Sequence, residues 1–284
     1  RTCLVGSEMC IRDRFYMFWE YLEYTIYGLI QGFTEFIPVS STAHLKVISL
    51  FFGIDDPGPS LSAIIQLGSV LALIYYFKND FFKLKKYFSK KNFDFLIHKR
   101  LFYSILIGTL PIFLLGGTIK LFVPYFFDKV LRSNLSIALV SLLMAIFMYI
   151  ADRSKRGFLN LTNHKLSDSF LIGLSQALAI IPGVSRSGIT ISTALVSGWN
   201  RGDAAKFSFL LGIPSISFAA IVEFISNFNE FSSFSFYPLI VGLITTFLSS
   251  LFAIDFLLKY FSSNGLKIFI IYRVIFGVVI LLNL

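Results

Sequence analysis

Charge is what this sequence has least of. Asp, Glu, Lys and Arg make up 14% of its 284 residues, against 56% hydrophobic and 17% aromatic, whereas a soluble domain carries about 25% charged residues to cover its solvated surface. A chain so poor in charge presents much of its surface to lipid, which excludes a soluble fold. The hydrophobicity excludes intrinsic disorder. Cysteine is scarce as well: Cys3 and Cys10 are the only two, too few for a disulfide scaffold at this length. The net charge of +9 belongs to no basic soluble domain, so no nucleic-acid partner is expected, and the excess of Lys and Arg is read as topology.

Residues 1–16, RTCLVGSEMCIRDRFY, are polar and aperiodic and lack the basic-then-apolar order of a signal peptide. Met17 opens MFWEYLEYTIYGLIQG, which reads like a natural start. Residues 1–16 are therefore expected to be a non-native or disordered tail outside the functional protein.

A spanning helix needs about 20 mainly apolar residues. Charge-free runs over Pro57–Phe77, Leu101–Ile119, Ser133–Ala151, Phe207–Val222, Phe231–Ile254 and, interrupted by Arg273, Ile268–Leu284 supply six such spans. Backbone groups in hydrocarbon must bond internally, so each is helical. Tyr24–Ile54 and Ser169–Asn200 are also apolar, but each is broken near its middle by Pro, Ser and ionisable residues. They are expected to be re-entrant hairpins, each of two short helices meeting at a polar tip.

Basic residues in short loops set orientation. Lys78–Arg100 holds eight Lys and Arg against Asp80 and Asp94, Asp152–Asp168 holds four against two, and Lys259–Lys267 holds two against none, so all three should be cytoplasmic. Asp55 with Asp56, and Glu223 with Glu230, then mark outside loops. Asp128–Arg132, with Lys129 and Arg132, is discordant.

A shift of 145 residues lays GLIQGFTEFIPVSS (Gly28–Ser41) over GLSQALAIIPGVSR (Gly173–Arg186), matching Gly28, Leu29, Gln31, Val39 and Ser40 to identical residues. Each hairpin is followed by three spans, and an odd number reverses the orientation of the second copy. The fold class expected is an all-α polytopic membrane protein with an inverted-topology repeat. Residues 17–151 form repeat 1 and residues 152–284 repeat 2, within one membrane domain. In such folds the site lies where the broken helices of the two repeats meet.

The first tip holds Gln31, Glu35, Ser40, Ser41, Thr42 and His44, and the second Ser185, Arg186, Ser187 and Thr190. Ionisable residues at membrane depth are functional hypotheses, because an unpartnered charge there costs at least ~2.5 kcal/mol. Glu35 and Arg186 are natural partners. Gln31 and Glu35, four apart, share one helix face. Hydroxyls beside a carboxylate and an imidazole supply a nucleophile and a base, and an arginine fork between Ser185 and Ser187 where a glycine-bearing loop opens a helix supplies an anion site. Together they describe phosphoryl transfer. PGVSRSG has no Walker lysine, so it is no nucleotide P-loop.

These residues resemble the undecaprenyl-diphosphate phosphatase (bacitracin-resistance) family of membrane phosphatases. QGFTEFIPVSSTAH (Gln31–His44) is similar to its first motif and PGVSRSGITIS (Pro182–Ser192) to its second, while QLGS at Gln66–Ser69, FSFLLGIP at Phe207–Pro214 and IYR at Ile271–Arg273 resemble other family stretches. The resemblance covers Met17 to the C-terminus. It implies hydrolysis of a polyprenyl diphosphate lipid carrier to its monophosphate at the extracytoplasmic face of a bacterial cytoplasmic membrane, with bacitracin resistance and a divalent cation, Mg²⁺ or Ca²⁺. By position, Glu35, His44 and Arg186 fall on essential acidic, imidazole and phosphate-binding residues and Ser41 on the proposed nucleophile, with Thr42 second; direct attack by water stays open. Ser40, Ser185, Ser187, Thr190 and Gln31 would bind substrate, and Glu35 a metal. Gln31 leaves one carboxylate fewer than family members with Glu there, and Ala43 stands where Gly is usual. Besides the lipid substrate and membrane lipid, a homodimer is left open as a partner. The rival reading is a flippase for the lipid carrier, which needs the arginine anion site but neither nucleophile nor base.

Overall fold

The computed structural model describes residues 2–80, 93–122, 130–154, 157–226 and 234–284. Among them every regular element is helical, apart from one isolated bridge between Leu159 and Trp199. In chain order the principal helices are α1 (Thr2–Phe36), α2 (Ser41–Phe52), α3 (Gly58–Tyr76), α4 (Phe93–Phe122), α5 (Asn134–Arg153), α6 (Leu166–Gln176) with a 3₁₀ turn Ala177–Ile180, α7 (Arg186–Val196), α8 (Arg201–Ser226), α9 (Phe236–Ser263) and α10 (Lys267–Leu282). Five helical stretches among the described residues are long and apolar enough to cross a membrane: Gly58–Tyr76, Lys99–Gly116, Asn134–Arg153, Arg201–Ser226 and Phe236–Ser263. They match five of the six expected spans. The sixth, Ile268–Leu284, is met by α10, whose 16 residues rise only about 24 Å at 1.5 Å per residue and so fall short of the other five.

The outer faces support a lipid environment. Leu139, Leu143, Ile146 and Ile150 recur at helical spacing along α5 and are all exposed, as are Ile244, Leu248, Phe252 and Phe256 on α9. Water would penalise such stripes, whereas a bilayer solvates them.

Where helices cross closely, glycine makes the approach possible. A Cβ on Gly28 would collide with Thr245 and the Gly242 carbonyl of α9, and one on Gly173 with the Gly108 backbone of α4. Small residues at helix crossings are a common membrane device. These two glycines are 145 residues apart, and so are Ser40 and Ser185, which at φ 77° and 69° are the non-glycine residues with positive φ among the described residues.

The two expected hairpins differ. The second is a pair of short helices, α6 and α7. In the first the break falls over residues 37–40 as expected, but its leading arm is not short, since α1 runs unbroken from Thr2 to Phe36 and so includes the segment expected as a tail. The breaks meet: Ser187 Oγ donates to the carbonyls of Glu35 (3.3 Å) and Ile37 (3.4 Å).

Loops group at two ends of the bundle. Asp80 pairs with Lys206 at 2.8 Å and Asp152 with Arg201 at 2.9 Å, and Gly265 lies against both Asp152 and Arg201, so the three loops expected to be cytoplasmic share one end. At the other, Arg132 Nη2 donates to both Asp56 oxygens (3.0 and 2.9 Å) and Lys46 to Asp56 Oδ2 (3.0 Å). Burial opposes ionisation of Asp56, but Arg132 and Lys46 hold its carboxyl below the ordinary range. The discordant basic residue Arg132 is thus paired with an expected outside loop. The basic cluster Lys83–Lys91, Lys155, Arg156, Asp128, Lys129 and Glu230 lie outside the described residues.

Candidate active site

Glu35 is the penultimate residue of α1 and is 5% exposed. A buried carboxylate is stable only when its oxygens are matched by donors. Its Oε2 accepts hydrogen bonds from Gln31 Nε2 (2.9 Å), Gln66 Nε2 (3.0 Å) and Ser41 Oγ (2.8 Å). Its Oε1 faces Arg186, with Nη2 at 3.3 Å and Nε at 3.4 Å, and Arg186 Nη1 donates to the Ser208 carbonyl of α8 at 2.9 Å. This one carboxylate gathers Gln31, Ser41, Gln66 and Arg186, side chains from α1, α2, α3 and α7.

The turns that bring them together are built alike. Ser40 and Ser185 each sit just before a helix, with Oγ accepting from the backbone N–H three residues on, Ala43 at 3.4 Å and Gly188 at 3.2 Å. Ser41 opens α2 and Arg186 opens α7. Two helix N-termini, each with unbonded N–H groups and the positive end of its dipole, therefore lie beside one another, an arrangement that favours an anion.

A cavity of about 770 Å³ covers this point. Glu35, Ser41, Thr42, Gln66, Ser185 and Arg186 line its polar side, and Ile112, Phe218 and Val222 belong to an apolar wall. Arg132, Glu223 and Ser226 line it toward the end that carries the Asp56 loop. An apolar wall ending at a guanidinium, a carboxylate and hydroxyls accepts an amphiphile with an anionic head.

Not all of the expected site residues face this cavity. Gln31 acts through Glu35. Ser187 is fully buried and ties the two tips together. Thr190 Oγ1 bonds the Arg186 carbonyl (2.8 Å) and Ser208 Oγ (2.6 Å), holding the start of α7 on α8. His44 is turned away: Nδ1 meets the Ser40 carbonyl at 2.7 Å, Nε2 meets the Tyr272 hydroxyl at 2.6 Å, and the ring stacks on Phe276 at 4.3 Å. The ionisable side chain bonded to Ser41 is the Glu35 carboxylate.

Two residues escaped the sequence reading of the site. Gln66, a polar residue in the charge-free run of α3, reaches Glu35. Arg273, which appeared as an interruption in the last span and at the end of the IYR stretch but was given no role in the site, is fully buried. It donates from Nη1 to the carbonyls of Pro38 (3.1 Å) and Val184 (3.3 Å) and from Nη2 to that of Gly183, so one guanidinium holds both tips.

For a divalent cation the donor set is sparse. Among the described residues no three His, Cys, Asp or Glu side chains converge. Glu35 is the carboxylate beside Ser41, and a hard cation with one protein carboxylate completes its shell from substrate phosphate oxygens and water.

Comparison with known proteins agrees with this chemistry. The profile of the family described as "Bacitracin resistance protein BacA" matches residues 24–279. A protein of Prochlorococcus marinus (strain MIT 9312) named undecaprenyl-diphosphatase is 81% identical over 268 residues, covering 94% of this chain and 100% of the relative. Its namesake in strain AS9601 is 77% identical over 93% of this chain and 97% of its own length. One in strain MIT 9303 is 47% identical over 90% of this chain and 88% of its own.

Proposed function

The chain belongs to the bacitracin resistance protein BacA family, and from that membership and the site's geometry we infer that it is an undecaprenyl-diphosphatase, a membrane hydrolase releasing phosphate from the polyprenyl diphosphate carrier. The observation that carries the mechanism is the Glu35 carboxylate, bonded on one oxygen by the Ser41 hydroxyl and facing Arg186 on the other.

The prenyl chain lies along the apolar wall and the diphosphate at the polar end. Arg186 turns from Glu35 toward the terminal phosphate and, with the N-termini of α2 and α7, stabilises charge developing on its oxygens. Glu35 takes the proton of Ser41 as Oγ forms a bond to the terminal phosphorus. The bond from that phosphorus to the bridging oxygen breaks, Glu35 returns the proton to that oxygen, and the polyprenyl monophosphate leaves. Water then attacks the phosphoserine, giving its proton to Glu35, and inorganic phosphate departs as Ser41 recovers a proton. In the alternative without a covalent intermediate, Ser41 orients the water and Glu35 deprotonates it. A Mg²⁺ or Ca²⁺ held by Glu35 and the phosphates would neutralise phosphate charge.

Around this site the proposed architecture is an inverted repeat with six spans and two re-entrant segments, the short α10 included. The paired glycines Gly28 and Gly173, the paired turns at Ser40 and Ser185, and the packing of α1 on α9 and α6 on α4 support it. The cavity's approach from the Asp56 end supports a site facing away from the cytoplasm, in the cytoplasmic membrane. A homodimer is part of the proposal. Purified protein in detergent, where no sidedness exists, is expected to release phosphate from undecaprenyl diphosphate, and Arg186→Ala to lower this by about 10²–10³; a flippase would release none.

A further inference from the structure

The placement of His44 raises the question of what an imidazole does when it faces away from the cavity. A carbonyl oxygen only accepts, so the contact with Ser40 puts a hydrogen on Nδ1, and neutral imidazole then accepts at Nε2 from the Tyr272 hydroxyl. One face of the ring stacks on Phe276, centroids 4.3 Å apart and 10° from parallel, and Tyr272, 6.0 Å from Phe276, lies beside it at 5.7 Å and 13°. Both nitrogens and one face are engaged. What the imidazole controls is the Ser40 carbonyl, the oxygen of the peptide that leads directly into Ser41.

The second tip is a built-in comparison. Ser185 has the same positive φ, and its carbonyl accepts from the Ile189 N–H at 2.9 Å. Ile189 stands where the first tip has His44, so the turn forms without an imidazole. At the first tip the same helical bond from the His44 N–H is longer, 3.3 Å, and the ring supplies a shorter one. The extra bond is found at the tip whose next residue donates to Glu35.

We propose that Tyr272 is a positioning residue for the phosphatase reaction: through His44 it fixes the Ser40 peptide, and so the direction in which the Ser41 hydroxyl meets Glu35. The proposal rests on the reading of Ser41 as the group that attacks or orients water. It gives adjacent residues of α10 related tasks, since Arg273 holds the carbonyls of Pro38, Gly183 and Val184 while Tyr272 acts on that of Ser40. It also moves His44 from proton transfer to orientation.

The test is steady-state phosphate release from undecaprenyl diphosphate by the purified full chain in detergent, with Tyr272→Phe, His44→Asn, His44→Ala and the double variants. Tyr272→Phe keeps the ring and loses the donor, and one neutral hydrogen bond corresponds to about a tenfold fall in kcat at most, with KM unchanged because the cavity lining is intact. His44→Asn retains an amide that can donate to the Ser40 carbonyl, so it is expected to exceed His44→Ala. Adding Tyr272→Phe to His44→Ala should change nothing further, the non-additivity of groups acting in series. Wild-type kcat for Tyr272→Phe, equal loss in His44→Asn and His44→Ala, or a full additional loss in the double variant would each overturn the proposal. Ser41→Ala, measured alongside, tests the underlying reading separately: if it is fully active that reading fails, whatever pattern the α10 variants show.

Discussion

Arg186 and Glu35 are 151 residues apart and meet with Nη2 3.3 Å from Oε1. Both side chains are over nine-tenths buried. Neither would be tolerated alone at this depth, because an unpaired buried charge costs several kcal/mol. The pair is also the junction of the two tips, so the same contact that makes burial possible places a guanidinium and a carboxylate side by side at the cavity.

Arg186→Ala is expected to lower phosphate release by about 10²–10³, the range for losing a donor to developing charge, and to lower the melting temperature as well, because Glu35 is left unpaired. Adding Glu35→Gln should recover stability without recovering turnover. A melting temperature unchanged in both variants would contradict the pairing argument.

Ser41 and Thr42 should separate sharply. Ser41 donates to Glu35, whereas Thr42 lines the cavity and has no such bond to it. Thr42→Ala is expected to stay within about threefold of wild type, the loss of a single hydrogen bond or less, while Ser41→Ala falls far below it. Equal losses in single-turnover phosphate release would remove the distinction.

Gln66→Leu removes one of the three donors on Glu35 Oε2. With one fewer donor the carboxylate is held less firmly toward Ser41, so turnover is expected to fall about tenfold, the loss of one hydrogen bond. Turnover equal to wild type would sink this role.

Arg273→Met should damage fold and activity together, because it leaves the carbonyls of Pro38, Gly183 and Val184 without their donor, at about 1–3 kcal/mol for each buried unsatisfied group. Arg273→Lys has no fork to span both tips and should recover little. The check is thermal unfolding in detergent beside turnover.

At the opposite end, burial holds the His164 imidazole below its ordinary value despite its bond to the Asn160 carbonyl. Ser104 Oγ lies 2.7 Å from its Nε2. A lowered folded pKa means that the unfolded chain binds the proton more readily, so stability rises with pH: it is full above about 6.5 and declines as pH falls below that value. Melting temperatures from pH 7.5 to 5 should show the decline in wild type and a flatter profile in His164→Gln.

Much of this was legible in the residues because bilayer physics leaves few alternatives. Long uncharged runs located five crossing helices, and the 145-residue shift matched two turns whose similarity reappears in the φ values of Ser40 and Ser185. Glu35 with Arg186 followed from the need to partner buried charge. Gln66 and Arg273 were not assigned because their roles depend on packing of α3 and α10 against the tips, which spacing along one helix does not encode. His44 was misdirected for a local reason. Four residues after Ser40 it lies over the first turn of α2, where its nearest acceptor is the Ser40 carbonyl; the expectation that it serves Ser41 overlooked that geometry.

The central claim is that one carboxylate, shared between Ser41 and Arg186, drives hydrolysis of the lipid diphosphate. Glu35→Gln keeps the size of the side chain and removes the base, so phosphate release from undecaprenyl diphosphate by the purified variant in detergent is the most direct measurement. A rate at least about 10²-fold below wild type is predicted, as for loss of a general base; a rate equal to wild type would contradict the account.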